Sequence, residues 1–329
     1  MAPQAAGVRL ADLQRPVAHQ LGAVAEELRR MISADFPLIA EVNGYLLQMK
    51  GKLFRPMLLF LAHQAAGADD ARVVRFAGAI ELIHLATLVH DDSVDHSTLR
   101  RGMPTINALF SHQVSVIMGD YLYSRAIIEL VKVDDIEPLR ILSRVTNEMT
   151  VGEMRQLAAY DALRFTEEEY GHLIRAKTAT LFSAACELGA LRAAPERREA
   201  LRAYGHALGM AFQITDDLLD YTEGEAVTGK PSGLDLKEHK VTLPLIAALP
   251  RLAPEARREV EALFAEKEPG DERVARVIGL VARSGGLDYA RERAAGWAGQ
   301  AEAALEELPP SQAREALREA ITYAVERRH

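Results

Sequence analysis

The amino-acid sequence predicts an all-α protein built as a single helical domain over residues 1–329. Apolar residues recur at spacings of three and four through most of the chain, and alternating runs of β-branched residues are nearly absent. Apart from two acidic clusters, the chain has no internal repeat, and no long linker divides it. We therefore expect one bundle of helices.

The apolar spacing places the helices in order along the chain. Helices are expected over about residues 8–33, 36–48, 56–66, 105–131, 135–160, 167–192 and 196–221, with further helices from 242 to 328. A long apolar helix between 70 and 95 follows Gly67, which is expected to end the preceding helix, and Asp69 or Asp70 is expected to cap it. Thr166 and Glu169 have the spacing of a capping box. Residues 100–104 are expected to form a loop, and residues 223–240 a mobile lid.

Two acidic clusters with identical spacing lie at the ends of apolar helical stretches. They consist of Asp91, Asp92 and Asp95, and of Asp216, Asp217 and Asp220. Positions i and i+4 share one face of a helix, so the carboxylates repel each other, at a high cost beside apolar side chains unless they bind cations. Carboxylate oxygens favour Mg²⁺, which also takes water and substrate phosphates as ligands. The clusters therefore predict a magnesium site that serves a phosphate-bearing substrate.

Composition argues against several other classes of protein. The net charge is −8 and no dense basic patch is present, so nucleic-acid binding is not expected. The only cysteine, Cys186, lies among apolar residues and is expected in the core. No stretch is expected to reach the length of a membrane span, and residues 1–7 lack a hydrophobic signal region. We therefore expect a cytoplasmic protein without a transmembrane segment.

A different metal chemistry stays open as an alternative. Glu81 and His84, and likewise Glu169 and His172, have the Glu-x-x-His spacing of di-iron carboxylate helix bundles. That alternative leaves both aspartate clusters unexplained.

The motifs resemble those of the trans-type (all-E) polyprenyl diphosphate synthases, over about residues 40–250, and within that family the long-chain heptaprenyl and octaprenyl synthases. The resemblance depends on Gly51-Lys52-x-x-Arg55-Pro56, on Glu81 to Arg100-Arg101-Gly102, on Gly152-Glu153, on Lys177-Thr178, on Phe212-Gln213 with the second cluster, on Gly229-Lys230-Pro231 and on Lys240. It implies a helical bundle of the isoprenoid synthase type with a central cavity. The two intact clusters argue against a non-catalytic subunit, and no second motif of a class I terpene cyclase is evident.

The resemblance also implies a reaction and its residues. Isopentenyl diphosphate would condense with an allylic diphosphate through ionisation, condensation and elimination, with Mg²⁺ on the leaving group, in a homodimeric enzyme. The chief metal ligands would be Asp91, Asp95 and Asp216, with Asp92, Asp217 and Asp220 as nearby or water-mediated partners. The allylic diphosphate would be held by Arg100, Lys177, Lys230 and Lys240. Isopentenyl diphosphate would be held by Lys52, Arg55, His84 and Arg101, with Thr178 and Gln213 near the reacting carbons.

Product length is predicted from the helix before the first cluster. Short-chain members of the resembling family carry bulky aromatic residues where this chain has Ala86 and Thr87. The small side chains predict an open tunnel with a deeper floor at Ile80, and hence a long product, of hexa- to octaprenyl length, for quinone side chains. A short-chain farnesyl or geranylgeranyl product is the alternative. One departure from the family is His239, where a glycine usually precedes Lys240.

Overall fold

The long apolar helix predicted before the first acidic cluster is the centre of the N-terminal half. It is α5, Val73–Val94, in a computed structural model that describes residues 8–49, 51–100, 102–157, 162–222 and 233–326. The other helices of this half are α1 (Leu10–Gln14), α2 (Ala18–Met31), α3 (Pro37–Gln48), α4 (Phe54–Ala66), α6 (Ile106–Leu109), α7 (His112–Val131) and α8 (Ile136–Leu157). The second half contains α9 (Glu167–Ile174), α10 (Thr180–Gly189), α11 (Pro195–Thr222), α12 (Leu234–Lys237), α13 (Leu243–Ala248), α14 (Pro254–Ala265), α15 (Asp271–Arg283), α16 (Gly286–Leu305) and α17 (Gln312–Glu326). The predicted all-α fold is confirmed.

Several predicted boundaries are confirmed by their local chemistry. Gly67 ends α4 in the left-handed conformation, with φ of 62°. At the start of α9, Thr166 and Glu169 form the reciprocal hydrogen bonds of a capping box. Asp70 does not cap α5 as predicted: α5 begins after Arg72, and the Asp70 carboxylate instead accepts hydrogen bonds from the side chain and backbone of Arg72.

Other predicted helices are interrupted. A 3₁₀ turn, Arg15–Val17, separates α1 from α2 because Pro16 has no N–H to donate. Ser111 divides the predicted 105–131 helix, since its Oγ accepts a hydrogen bond from the Val114 N–H at 3.1 Å and starts α7. The predicted 167–192 helix contains one π-helical turn, Arg175–Ala179, between α9 and α10.

The predicted loop at 100–104 contains a short antiparallel hairpin. Strand β1, Leu99–Arg100, pairs with β2, Met103–Pro104, so that Arg100 lies opposite Met103. The hairpin follows the acidic end of α5 directly. Arg101 lies outside the described residues.

Helix α5 is buried mainly against α7, with α2 and α4 on its other sides. Its 22 residues have the length and apolar composition of a membrane span, contrary to the expectation that no stretch would reach that length. More than half of the most apolar stretch of α5 is buried inside the bundle, as in a helix of a protein core.

Two hydrophobic clusters make up the interior, and α11 belongs to both. The larger cluster includes Leu201 and Leu208 of α11, and the smaller includes Ile214 and Leu218. Cys186 lies in the larger cluster, as predicted, and burial raises the pKa of its thiol, so it packs as an apolar side chain. Helix α11 packs in this core against α10, α16 and the π turn. Its C-terminal part contains the second acidic cluster.

Candidate active site

The first acidic cluster occupies the C-terminal end of α5. Asp92 is 5% exposed, and its carboxylate accepts hydrogen bonds from Nε of Arg100 at 2.8 and 2.9 Å. The Arg100 Nη2 atom lies 2.7 Å from the same carboxylate. Asp91 and Asp95 lie on a neighbouring face, and the backbone N–H of Asp95 donates to the carbonyl of Asp91 at 2.8 Å. Hairpin β1–β2 thus holds Arg100 on Asp92.

The π turn brings Lys177 onto this cluster. Its Nζ lies 3.4 Å from Oδ2 of Asp91 and 2.9 Å from Oε1 of Glu153 in α8. Burial raises the pKa of the Asp91 carboxyl, and this effect outweighs the attraction of Lys177, which lowers that pKa; the nearby Glu153 and Asp95 raise it further. The pKa of Lys177 is also raised, because the attraction of Asp91 and Glu153 outweighs its burial. The site is locally rich in negative charge, which favours a bound cation.

Two glycines allow the π turn to fit between its neighbouring helices. A Cβ at Gly209 of α11 would lie 2.5 Å from the Cα of Ala179, and a Cβ at Gly152 of α8 would lie 2.4 Å from the Cβ of Ala176. Any larger residue at either position would push the turn away. The close approach fixes where Lys177 and Thr178 point.

The second cluster is held by hydrogen bonds to its own surroundings. Asp217 is 7% exposed, and its two oxygens accept from the hydroxyl of Tyr170 at 2.5 Å and from Nε2 of Gln213 at 2.9 Å. Burial, with Asp235 and Asp216 nearby, raises the pKa of Asp217 well above its usual range. The Gln213 carbonyl accepts from the Thr178 hydroxyl at 2.7 Å. The π turn therefore contacts both clusters, through Lys177 on one side and Thr178 on the other.

Asp220 anchors the chain that returns after this cluster. Its carboxylate accepts from the backbone N–H groups of Leu234 at 3.0 Å and of Asp235 at 3.1 Å, and its carbonyl accepts from the Gly233 N–H at 2.8 Å. Asp216 is half-buried on the same helix. In the second cluster, the carboxylates of Asp217 and Asp220 therefore accept hydrogen bonds from other groups of the protein.

Lys240 reaches the first cluster from the C-terminal half. Its Nζ lies 3.4 Å from Oδ2 of Asp95 and 2.8 Å from Glu238. His239, just before it, takes the left-handed conformation with φ of 56° and packs its ring against Phe264, with centroids 5.5 Å apart. The departure from the family's glycine thus keeps the backbone conformation that glycine would favour.

The described part of the predicted lid is well packed. Leu236 of α12 is fully buried in the smaller core cluster, and Lys237 pairs with Asp271 of α15 at 2.5 Å. Residues 233–240 are therefore docked against the C-terminal helices. Residues 223–232 lie outside the described residues, and with them Lys230.

The basic motif predicted for the second substrate begins α4. Leu53, between Lys52 and Arg55, has left-handed backbone angles with φ of 47°, which costs about 1–2 kcal/mol for a residue with a side chain. The guanidinium of Arg55 lies 5.0 Å from the ring centre of Phe182. Strained backbone of this kind is common at ligand sites.

The residues predicted to set product length lie along the buried part of α5. Ile80 is fully buried and Ala86 is 4% exposed, while the half-buried Thr87 donates its hydroxyl to the carbonyl of His84 at 2.8 Å. A small apolar cavity opens on another face of α5. It is lined by Leu46, Met49, Leu85, Leu88, Val89, Ile106, Asp92 and Arg100.

The carboxylates fit a metal that shares its ligands with a substrate. Among the described residues, no three His, Cys, Asp or Glu side chains converge closely enough to hold an ion by themselves. Mg²⁺ is commonly held by one or two carboxylates with water and phosphate oxygens, and Asp91, with Asp95 and Glu153 near it, offers carboxylates of that kind. Di-iron sites need several convergent carboxylates and histidines, but Glu169 is committed to the capping box and His172 is exposed.

Comparison with known proteins agrees with this geometry. A family model described as polyprenyl synthetase matches residues 36–281. The chain belongs to the polyprenyl synthetase family. This polyprenyl synthetase is 40% identical over 318 residues to an all-trans-nonaprenyl-diphosphate synthase (geranyl-diphosphate specific) of Rhodobacter capsulatus, covering 96% of this chain and 97% of the relative.

Other members of the family are similar at nearly the same level. A short chain isoprenyl diphosphate synthase of Methanothermobacter thermautotrophicus is 35% identical over 312 residues, covering 92% of this chain and 95% of that protein. The structure of a polyprenyl synthase from Caulobacter crescentus, complexed with calcium and isoprenyl diphosphate, superposes with a TM-score of 0.92 at 36% identity, over 99% of this chain and 100% of the other. The predicted enzyme class, a trans-polyprenyl diphosphate synthase and hence a prenyltransferase, is confirmed, and the di-iron alternative is wrong.

Two residues of the site were not given a role from the sequence. Glu153 belongs to a motif that carried the resemblance, yet its pairing with Lys177 was not predicted. Tyr170, which is buried in α9, was given no role at all. Each contacts a residue that is distant in sequence, so no local pattern predicts the contact.

Proposed function

We propose that this prenyltransferase condenses isopentenyl diphosphate with an allylic diphosphate in a Mg²⁺-dependent reaction and makes a long-chain all-E polyprenyl diphosphate. The observation that carries the proposal is the π turn, whose Lys177 and Thr178 join two acidic clusters into one site. The relative from Rhodobacter capsulatus, named for a nonaprenyl product, supports the substrate class.

The residues have separate tasks in this proposal. Asp91, Asp95 and Asp216 would hold Mg²⁺, which neutralises charge on the leaving diphosphate when bound. Lys177, Lys240 and Arg100, now paired with Asp91, Asp95 and Asp92, would contact the oxygens of the allylic diphosphate. Asp92, Asp217 and Asp220 would orient these groups through their hydrogen bonds, without direct metal contact.

The chemical step divides into three changes of bonding. The allylic C–O bond breaks and its electron pair leaves with the diphosphate, whose charge the lysines and arginine stabilise. The alkene of isopentenyl diphosphate, held by Lys52, Arg55, His84 and Arg101, then forms the new C–C bond. A proton leaves the adjacent carbon for the released diphosphate, and Thr178 and Gln213 lie beside the reacting carbons.

Product length follows from the apolar part of α5. Because the side chains of Ala86 and Thr87 are small, a growing chain would pass them toward Ile80, and a hexa- to octaprenyl product of the kind used for quinone side chains is the proposed outcome. The similarity to a short chain synthase keeps a farnesyl or geranylgeranyl product as the second candidate. We further propose a single-domain, cytoplasmic homodimer without a membrane span or nucleic-acid partner.

One experiment tests these proposals together. Purified protein is incubated with isopentenyl diphosphate, each allylic primer and Mg²⁺, and the mass of the product is measured, with an excess of chelator as the control. Activity that survives chelation contradicts the metal requirement. A product that stops at fifteen or twenty carbons contradicts the long-chain proposal.

A further inference from the structure

A buried tyrosine contacts the second acidic cluster from outside it. Tyr170 of α9 is 3% exposed, and its hydroxyl donates to Oδ2 of Asp217 over 2.5 Å. A short hydrogen bond between two buried groups fixes the orientation of both.

This bond begins a chain of hydrogen bonds that ends in the π turn. The other Asp217 oxygen accepts from Nε2 of Gln213 at 2.9 Å, and Oε1 of Gln213 accepts from the hydroxyl of Thr178 at 2.7 Å. In this chain the Gln213 amide uses its N–H toward Asp217 and its carbonyl oxygen toward the Thr178 hydroxyl, so one side chain links the second cluster to the π turn. Thr178 is adjacent to Lys177, which pairs with Asp91.

Asp217 therefore attaches the second cluster to the surrounding protein. It is more buried than Asp216 and has both oxygens occupied by protein donors, while Asp220 holds the backbone of α12. If the tyrosine hydroxyl is removed, one oxygen of a buried carboxylate loses its donor, and the side chain is then free to rotate away from Gln213. Gln213 would then lose its fixed position, and with it the hydrogen bond that holds Thr178 in the π turn.

We propose that Tyr170 is a positioning residue of the active site. Through Asp217 and Gln213 it sets the placement of Thr178 and Lys177 relative to the first cluster, and so holds the two clusters at the separation that a metal–diphosphate complex needs. This inference rests on the proposed function and adds to it a residue remote from the substrates.

The chain offers a matched control for the test. Tyr204 of α11 is fully buried, and its hydroxyl donates to the carbonyl of Leu317 in α17 over 2.7 Å. Tyr170→Phe and Tyr204→Phe therefore each remove one hydroxyl from one buried hydrogen bond. Only the first bond belongs to the chain that reaches the clusters.

The test measures first the binding of diphosphate with Mg²⁺ and then the rate of prenyl transfer. Inorganic diphosphate with Mg²⁺ should raise the unfolding temperature of the wild type, since a ligand of the folded state stabilises it. In Tyr170→Phe we expect most of that increase to be lost. The half-saturating Mg²⁺ concentration for prenyl transfer should rise about tenfold, the lower end of the effect of removing a partner of a metal ligand, because Asp217 is not itself proposed to contact the metal. Tyr204→Phe should change the unfolding temperature without ligand and leave both ligand-dependent quantities near those of the wild type.

The outcomes separate the inference from the function on which it rests. If Tyr170→Phe and Tyr204→Phe give the same ligand-induced increase and the same Mg²⁺ dependence, Tyr170 only packs and the inference is wrong. If the wild type neither binds Mg²⁺ with diphosphate nor transfers prenyl groups, the proposed function itself fails. Should Tyr170→Phe not fold, Gln213→Met breaks the same chain of hydrogen bonds one step later and leaves the tyrosine in place. It must then lose the ligand-induced increase, and a variant that keeps the full increase also overturns the inference.

Discussion

The Nζ atom of Lys177 lies 3.4 Å from Oδ2 of Asp91, which joins the π turn to the end of α5. Glu153 of α8 shares the same ammonium group at 2.9 Å. The lysine thus has two acidic partners before any substrate is present. A diphosphate entering with its cation would satisfy Asp91 and leave Lys177 to turn toward the phosphate oxygens.

The first prediction concerns the carboxylates proposed to hold the metal. Asp91→Asn and Asp216→Asn keep side-chain size, and each should lower kcat by roughly a hundred- to a thousandfold, the scale of losing one stabilising group in the transition state. Steady-state kinetics measure the loss, and circular dichroism checks the fold. Asp288→Asn, at an exposed carboxylate of α16 that pairs with Arg291, serves as the control. Near-normal turnover in either active-site variant would remove that residue from the metal site.

The second prediction concerns product length. Ala86→Phe or Thr87→Phe should shorten the product because a bulky ring would fill the apolar path beside α5, while the acidic end of the helix stays unchanged. Mass spectrometry of the products measures chain length. Thr87→Val, which keeps the volume and loses only the hydroxyl that donates to His84, should leave the length unaltered. Unshortened products from both Phe variants would contradict a tunnel along this face.

The third prediction concerns assembly. The outer face of α7 exposes Ile117, Ile128 and Val131, at 62%, 41% and 61%, although its inner face packs on α5. These spacings place the three side chains on one stripe, of the kind that a second copy of the chain would cover. Ile117→Glu with Ile128→Glu should therefore convert a dimer to a monomer in light scattering. Gln300→Glu, on the exposed face of α16, should not change the mass. A wild type that is monomeric at assay concentration contradicts the dimer.

The fourth prediction links stability to pH. The Glu129 side chain is fully buried, and it accepts hydrogen bonds from Arg30 at 2.6 Å and Lys132 at 2.7 Å. Burial alone would raise the pKa of Glu129, but these two cations lower it overall. A depressed pKa stabilises the fold above the unfolded-state pKa, and that contribution is lost as pH falls through the folded-state value. Glu129→Gln should thus cost about 1–3 kcal/mol of unfolding free energy at neutral pH.

Urea unfolding at neutral and acid pH measures this effect. The difference between wild type and Glu129→Gln should shrink as the pH falls below about 4.3, the ordinary pKa of a glutamate. Glu302→Gln, at an exposed partner of Arg318, should change little at either pH. A difference that does not depend on pH would mean that packing, and not charge, is what Glu129 supplies.

The sequence predicted those parts of the fold whose signals are local. Gly67, the Thr166 capping box and the apolar run of α5 each depend on a few neighbouring residues. The π turn was not predicted because one extra residue in a turn leaves the apolar spacing of a helix almost unchanged. The break at Ser111 was missed because a serine inside an apolar pattern is also compatible with a continuous helix.

The active site also contains features that have a local sequence signal and features that do not. The spacing of the aspartates and the family motifs marked both clusters, but the contacts that divide their tasks are tertiary. Asp92 is held by Arg100 across a hairpin, and Asp217 by Tyr170 from another helix. Nothing in the residues around Tyr170 distinguishes it from a tyrosine that only packs, so its role was visible only in three dimensions.

The apolar composition of α5 has a consequence for how the protein is made. A stretch long and apolar enough to cross a membrane is a hazard while it is unpaired, since it can aggregate or enter a bilayer. Its packing partners α2 and α4 precede it, and α7 follows soon after, so they leave the ribosome close in time to α5. The helices that bury most of α5 are therefore synthesised before α11 and the second acidic cluster.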